Sequence, residues 1–167
     1  MYNSTDNYII FFILIIGAYI LLSIGVIVFK TLKKWKINKQ IDDLANNAIE
    51  MTPEEFMKMR NASFGGRGRR SHALTRNFAG VYILYNESKD MYYVGQGKQV
   101  LNRVNNHFTG KGNGDVYADY KYGDIFYIKM IALENSKFNS LNELERNTIA
   151  RYNAFSKGYN KTRGNRN

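Results

Sequence analysis

The sequence predicts an α+β fold: a small three-stranded antiparallel sheet flanked by helices, preceded by a single transmembrane helix and a helical stalk. Three observations carry this. Residues 8–29, "YIIFFILIIGAYILLSIGVIVF", are uncharged. Two tyrosine-rich runs with strand alternation, "GVYILY" and "MYYVG", bracket the polar turn "NESKD". Two later segments, "VLNRVNNHF" and "LNELERNTIARY", repeat their apolar residues at helical spacing.

The apolar run comes first. It covers roughly 22 positions, enough to cross a hydrocarbon core of about 30 Å. A buried helix of a soluble domain is rarely apolar on every face at this length. Lys30, Lys33, Lys34, Lys36 and Lys39 follow at once, and only Asp6 precedes. This bias predicts a single pass through the cell (inner) membrane, with the N-terminus outside and the remainder cytoplasmic. A cleaved signal peptide competes, but Met1–Asn7 has no Lys or Arg and Phe29-Lys30-Thr31 is a poor cleavage context.

Ile37, Ile41, Leu44, Ala48 and Met51 make one face of a helix. Thr52, Pro53 and Glu55 then give the cap, first-turn proline and capping-box acid of a second helix. This part reads as a stalk, or as a homo-oligomer contact, though it is short for a stable coiled coil. From Lys58 to Arg76 no acidic residue occurs, and Arg67, Arg69 and Arg70 fall among glycines. The segment suits either a linker lying on anionic lipid or an arm following a phosphate backbone. His72 has no ligand-spaced neighbour and reads as surface. The chain thus divides into residues 1–29, a basic stalk and linker at 30–79, and a domain with a basic tail at 80–167.

Composition narrows the function. The formal net charge is +10 over 167 residues, which points to nucleic acid or an anionic membrane as partner. An aromatic content of 14%, with 13 tyrosines, supports an ordered core. There is no cysteine, so disulfides, thiolate metal sites and a cysteine nucleophile are excluded. Gly95-Gln96-Gly97 ends the second strand, and a helix begins at Lys98 or Gln99. Such a junction lets a phosphate approach backbone N–H groups, with Lys98 at hand. It is not a Walker loop, because Gln99 stands where Ser or Thr belongs. Asp124–Leu133, "DIFYIKMIAL", supplies the third strand.

Arg103 and His107 are spaced i, i+4 and share a helix face. Glu143 stands where a capping-box acid follows Ser140. Glu145 instead falls between Leu141 and Ile149 on the apolar stripe. A carboxylate there is costly unless paired, with Arg103 for example, or bound to metal.

Taken in order, these blocks resemble the GIY-YIG nuclease family. Gly80-Val81-Tyr82 and Tyr93-Val94-Gly95 match the two halves of its signature, with valine for isoleucine in both. Arg103, eight positions beyond Gly95, matches the catalytic arginine. His107 matches a histidine of many members, "LNELERNTIARY" the helix with the catalytic glutamate at Glu145, and "GYN" the closing motif with Asn160. The resemblance covers about residues 80–161.

It implies a phosphodiester hydrolase acting on DNA or RNA, with no small-molecule cofactor. Tyr82 would be the general base and Tyr93 would orient water or phosphate. Arg103 would hold the phosphate, and His107 would position water or protonate the leaving oxygen. Glu145 would ligate Mg²⁺, or Mn²⁺ in its place, and Asn160 would steady glutamate, water or substrate. Each has a plain alternative: cross-strand aromatics, a helix-end histidine, a buried ion pair, a turn asparagine. "GKGNGD" lacks the alternating acids of a calcium loop; it reads as a mobile loop touching nucleic acid through Lys111. Lys161 and Arg163 in the tail are further backbone contacts. A binding module that holds DNA at the membrane without cutting it is the alternative from another class. A lipid-surface protein is a third.

Overall fold

The computed structural model describes residues 4–62 and 76–165. The chain divides into two compact units, residues 1–39 and 40–167. Helix α1 (Ser4–Asn47) contributes to both. In the first unit its apolar side chains are exposed all round, with Phe12 64%, Leu21 71% and Phe29 68% accessible. By length and composition this helix can cross a membrane, and none of its apolar window is buried in protein.

The second unit opens with the last turns of α1. Ile41 and Ala45 are buried, and Gln40 Nε2 donates to the Ser136 carbonyl at 2.6 Å. Asp42 receives both Nε and an Nη of Arg151, at 2.7 and 2.9 Å. Helix α2 (Pro53–Asn61) carries the capping box expected of Thr52 and Glu55. It buries Phe56 completely. Met51 exchanges two backbone hydrogen bonds with Ile128, at 3.1 and 2.8 Å. These residues, expected to form a stalk, pack into the domain.

Strands β1 (Gly80–Asn86), β2 (Met91–Gly97) and β3 (Phe126–Ala132) form an antiparallel sheet in the order β2-β1-β3. The strand β2 runs through Gly97, which pairs with Gly80. Asp90 closes the hairpin with φ 51°, a left-handed position that aspartate tolerates. Alternation along β1 sends Tyr82 and Leu84 to one face and Val81 and Ile83 to the other. On the first face they meet α2, α3 (Val100–Phe108) and α4 (Gly114–Lys121), through Phe56, Val104, Phe108 and Val116. On the second they meet α1 and α5 (Leu141–Arg151), through Ala45, Leu144 and Ile149.

The free edge of β2 is covered by the chain after α5. Tyr159 N–H donates to the Tyr92 carbonyl at 2.9 Å. Gly158 permits the approach, since a Cβ there would strike that same carbonyl. Covering an edge in this way removes a template for unwanted strand pairing.

Candidate active site

The site is built around β2. In register, Tyr82 lies opposite Gly95 and Leu84 opposite Tyr93. The two tyrosines are therefore diagonal neighbours on one face, with ring centroids 6.1 Å apart. Gly95 makes this possible: a Cβ would collide with the Tyr82 hydroxyl. At Gly97 a Cβ would come within 2.7 Å of Arg103 Cγ. The open faces of Gly95 and Gly97, expected to admit a phosphate, are thus filled by the protein's own side chains. Tyr82 has no exposed surface, and Tyr93 forms part of a cleft wall.

Helix α3 brings Arg103 and His107. Its N-terminal residue Gln99 gives no side-chain cap; Asn77, before β1, instead accepts from Leu101 N–H at 2.9 Å. His107 is buried and bonded at both ring nitrogens. Its Nδ1 accepts from Asn113 N–H at 2.9 Å, and its Nε2 lies 2.9 Å from the Tyr82 hydroxyl oxygen. A nitrogen that accepts carries no proton, so the proton of the neutral ring is on Nε2 and points at Tyr82. Burial, then the Arg103 charge, hold His107 down at about 4. This ring is consequently a fixed donor to Tyr82 at neutral pH, and it is not placed to protonate a leaving group.

The tyrosines feel opposing influences. Burial pushes both above the usual phenol value, and Arg103 pulls both down. The order that the hydrogen bonds give is Asn113 N–H to His107 and His107 to Tyr82, with the Tyr93 ring between Tyr82 and the cleft.

Helix α5 presents Glu145 from the opposite face of the sheet. Ser140 caps it through Glu143 N–H at 3.2 Å. Glu143 reaches Asn139 N–H rather than the cap's own. Glu145 is 9% exposed. Burial raises its carboxyl above the usual range, while Asn165 N–H, the Gln96 amide and the Arg103 charge lower it. Gln96 Nε2 donates to Glu145 Oε2 at 3.0 Å and to Asn142 Oδ1 at 2.6 Å. Among the described residues no ion pair joins Glu145 to Arg103, so the expected alternative of a buried salt bridge is not realised.

Tyr93, Arg103, His107, Lys111, Glu145 and Lys161 meet in one polar cleft of about 460 Å³. Residues 78–160 match the family model of the GIY-YIG catalytic domain. The chain carries a GIY-YIG domain. No curated protein and no solved structure matches it. GIY-YIG domains are those of nucleases, which generally use divalent metals.

The GIY-YIG cleft suits a hard cation. Among the described residues no group of three or more His, Cys, Asp or Glu could hold an ion alone. One carboxylate with substrate oxygens and water is a donor set that magnesium accepts and zinc does not favour. Asn160 lines the cleft as well, with its amide turned toward β2. Its Oδ1 accepts from Val94 N–H at 2.8 Å, and its Nδ2 donates to the Val94 carbonyl at 2.7 Å. The amide is spent on the edge of β2, and it steadies the strand that carries Tyr93. Lys161 forms an ion pair with Asp115 at 3.3 Å on the rim. Lys98 is exposed and does not line the cleft; Arg163 lies in an adjoining cavity. Arg67, Arg69, Arg70 and His72 fall outside the described residues.

Two residues of the GIY-YIG site escaped sequence reasoning. Gln96 was hidden between two glycines. Strand alternation places it beside Val94, on the side of α5, where a polar side chain needs a partner. Asn113 was legible as a helix cap, since its Oδ1 accepts from Asp115 and Val116 N–H. Its second task, holding the His107 tautomer, is invisible before folding.

Proposed function

We propose that this chain is a membrane-anchored, metal-dependent endonuclease that hydrolyses phosphodiester bonds of DNA at the cytoplasmic membrane face. The observation that carries the reading is the shared cleft, in which Tyr93, Arg103 and Glu145 converge without the arginine and glutamate neutralising each other. A fixed positive charge and an acceptor for a cation thus remain for a phosphodiester. Arg103 would hold a phosphoryl oxygen through its planar fork. Tyr93, as the cleft-facing member of the pair, would take the proton of the attacking water in its ionised form, which the Arg103 charge and a bound cation would favour. Tyr82, held by His107, would pack behind it. Tyr82 as the direct base is less suited, because it has no surface toward the cleft. Glu145 would hold the Mg²⁺ or Mn²⁺ ion, which when bound would draw charge from the phosphoryl group.

The lysines after Phe29 support an anchor with the domain on the cytoplasmic side. Tethering favours substrate that arrives at the membrane, as incoming phage or plasmid DNA must, and raises the local enzyme concentration there. Restriction of entering DNA is the role we assign.

The test uses the purified full chain with plasmid DNA and RNA, with Mg²⁺ or EDTA. Wild type should cut DNA only with the cation, and Glu145→Ala should bind but not cut. Retention of cutting in that variant removes the metal assignment. Binding without cutting by wild type would favour a non-catalytic tethered module. In cells challenged with phage and plasmid, protection should need both Glu145 and residues 1–29. Equal protection by the untethered form would remove the reason for the anchor.

A further inference from the structure

Next to the cleft, the end of α5 and the turn after it enclose a second cavity, of about 370 Å³, walled by Arg146, Ile149, Ala150, Phe155 and Arg163. Ile149 lines both spaces, so the two share a wall. Their chemistry differs. The cleft is polar. The second cavity has an aliphatic floor and an aromatic wall, with a guanidinium at either side.

Phe155 is 40% exposed. It is not on a loose tail. Ala154 N–H donates to the Ile149 carbonyl at 3.1 Å and Lys157 N–H to the Asn153 carbonyl at 2.8 Å, which pin the turn on both sides of it. The Arg163 guanidinium stands 5.3 Å from the centroid of its ring. Gly164, at φ +93°, packs its backbone against Arg146 and Ile149 and holds this segment close. Among the described residues neither Arg146 nor Arg163 has an acidic partner. Arg146 directly follows Glu145, the carboxylate of the adjoining cleft.

We infer that this cavity is a stacking subsite for one unpaired nucleobase flanking the scissile phosphate, with Arg146 and Arg163 on the neighbouring phosphates. The inference rests on the nuclease reading and names its substrate class: a strand with at least one unpaired nucleotide beside the cut. A base presents a flat π-face to an aromatic ring or a guanidinium plane whatever its sequence. A paired base inside a duplex has both faces covered by its neighbours and is not free to enter. An apolar slot alone would suit a lipid chain or a peptide side chain as well. Two guanidiniums without acidic partners among the described residues, one wall away from the cleft proposed to hold the phosphate, favour a ligand that alternates aromatic rings with negative charge. A volume near 370 Å³ sits at the small end of ligand pockets, which span about 300–1,000 Å³.

The experiment uses the full chain in detergent micelles, with Glu145→Gln to silence cleavage. Its probes are single-stranded DNA oligonucleotides in which an abasic site is moved one position at a time. One position should weaken binding about tenfold, the loss of a single stacked base. Phe155→Ala should weaken binding of the intact strand equally and erase the positional effect, and Phe155→Trp should restore both. Fully paired duplex should bind alike to all three proteins. A uniform response to the abasic site, or unchanged binding by Phe155→Ala, overturns the subsite. Thermal unfolding of each variant tells a lost contact from a lost fold. Wild-type cleavage is scored separately. A chain that cuts no nucleic acid yet keeps the Phe155-dependent effect refutes the nuclease reading and leaves the base site standing.

Discussion

His107 allows a quantitative prediction. It is 2% exposed and receives Asn113 N–H at Nδ1. Protonating that nitrogen would set two donors against each other inside the core. Its folded value is about 4, against 6.5 ordinarily. The sign follows from the protons bound. Between pH 6.5 and 4 the unfolded chain takes up a proton that the folded chain refuses, so stability is full above about 6.5 and falls as pH drops toward 4. A gap from 6.5 to about 4, at about 1.36 kcal/mol per pH unit, amounts to about 3 kcal/mol. Glu145 works in the opposite direction, because its carboxyl is raised. The difference between wild type and His107→Gln therefore isolates the histidine. Urea unfolding of the full chain, followed by near-ultraviolet dichroism of the tyrosines, should show wild type losing about 3 kcal/mol more than the variant between pH 7 and pH 4. The chain has two histidines, so His72→Gln leaves one imidazole for ¹⁵N NMR, which should report a neutral ring protonated at Nε2. An imidazole that titrates near 6.5, or one protonated at Nδ1, refutes the donor order from Asn113 through His107 to Tyr82.

Four further variants have expected outcomes. Tyr93→Phe should remove most of the cleavage rate. Tyr82→Phe should cost less, because its hydroxyl has no surface toward the cleft; the reverse order of rates would return Tyr82 to the role of base. Arg103→Lys should be nearly inactive while binding DNA at low salt almost normally, since charge survives and the fork does not; turnover near wild type would reduce the position to bulk charge. Gly95→Ala should cost about 2 kcal/mol by overpacking against Tyr82; a stability equal to wild type in chemical denaturation would mean that the ring has somewhere else to go.

Much of this molecule was legible in its sequence. The hairpin showed in the period of two from Gly80 to Val94, and the apolar helix in its uncharged length. The caps at Thr52 and Ser140 are local chemistry, readable from residues three apart. Arg103 and Glu145 were separable from their neighbours because a helix repeats every 3.6 residues and places each side chain on a known stripe. Local periodicity determines which face a residue takes. It does not determine what lies opposite.

That second question was decided by tertiary structure. Residues 40–61 had the amphipathic pattern of a stalk, yet Ile41, Ala45 and Phe56 are covered by the sheet and its helices, because an apolar stripe records burial and not the partner that buries it. Gly95 and Gly97 looked open to a phosphate until Tyr82 and Arg103 filled the space that a Cβ would take. Asn160 had the signature of a site residue and lines the cleft, and only the fold shows that its amide pairs with the backbone of Val94, 66 positions away. Tyr82 and Tyr93 were alike in sequence; only the fold sets one behind the other, with the Tyr82 hydroxyl against His107. Contacts between residues far apart in the chain are set by how elements stack, and the one-dimensional pattern carries the demand for such contacts without naming who meets it.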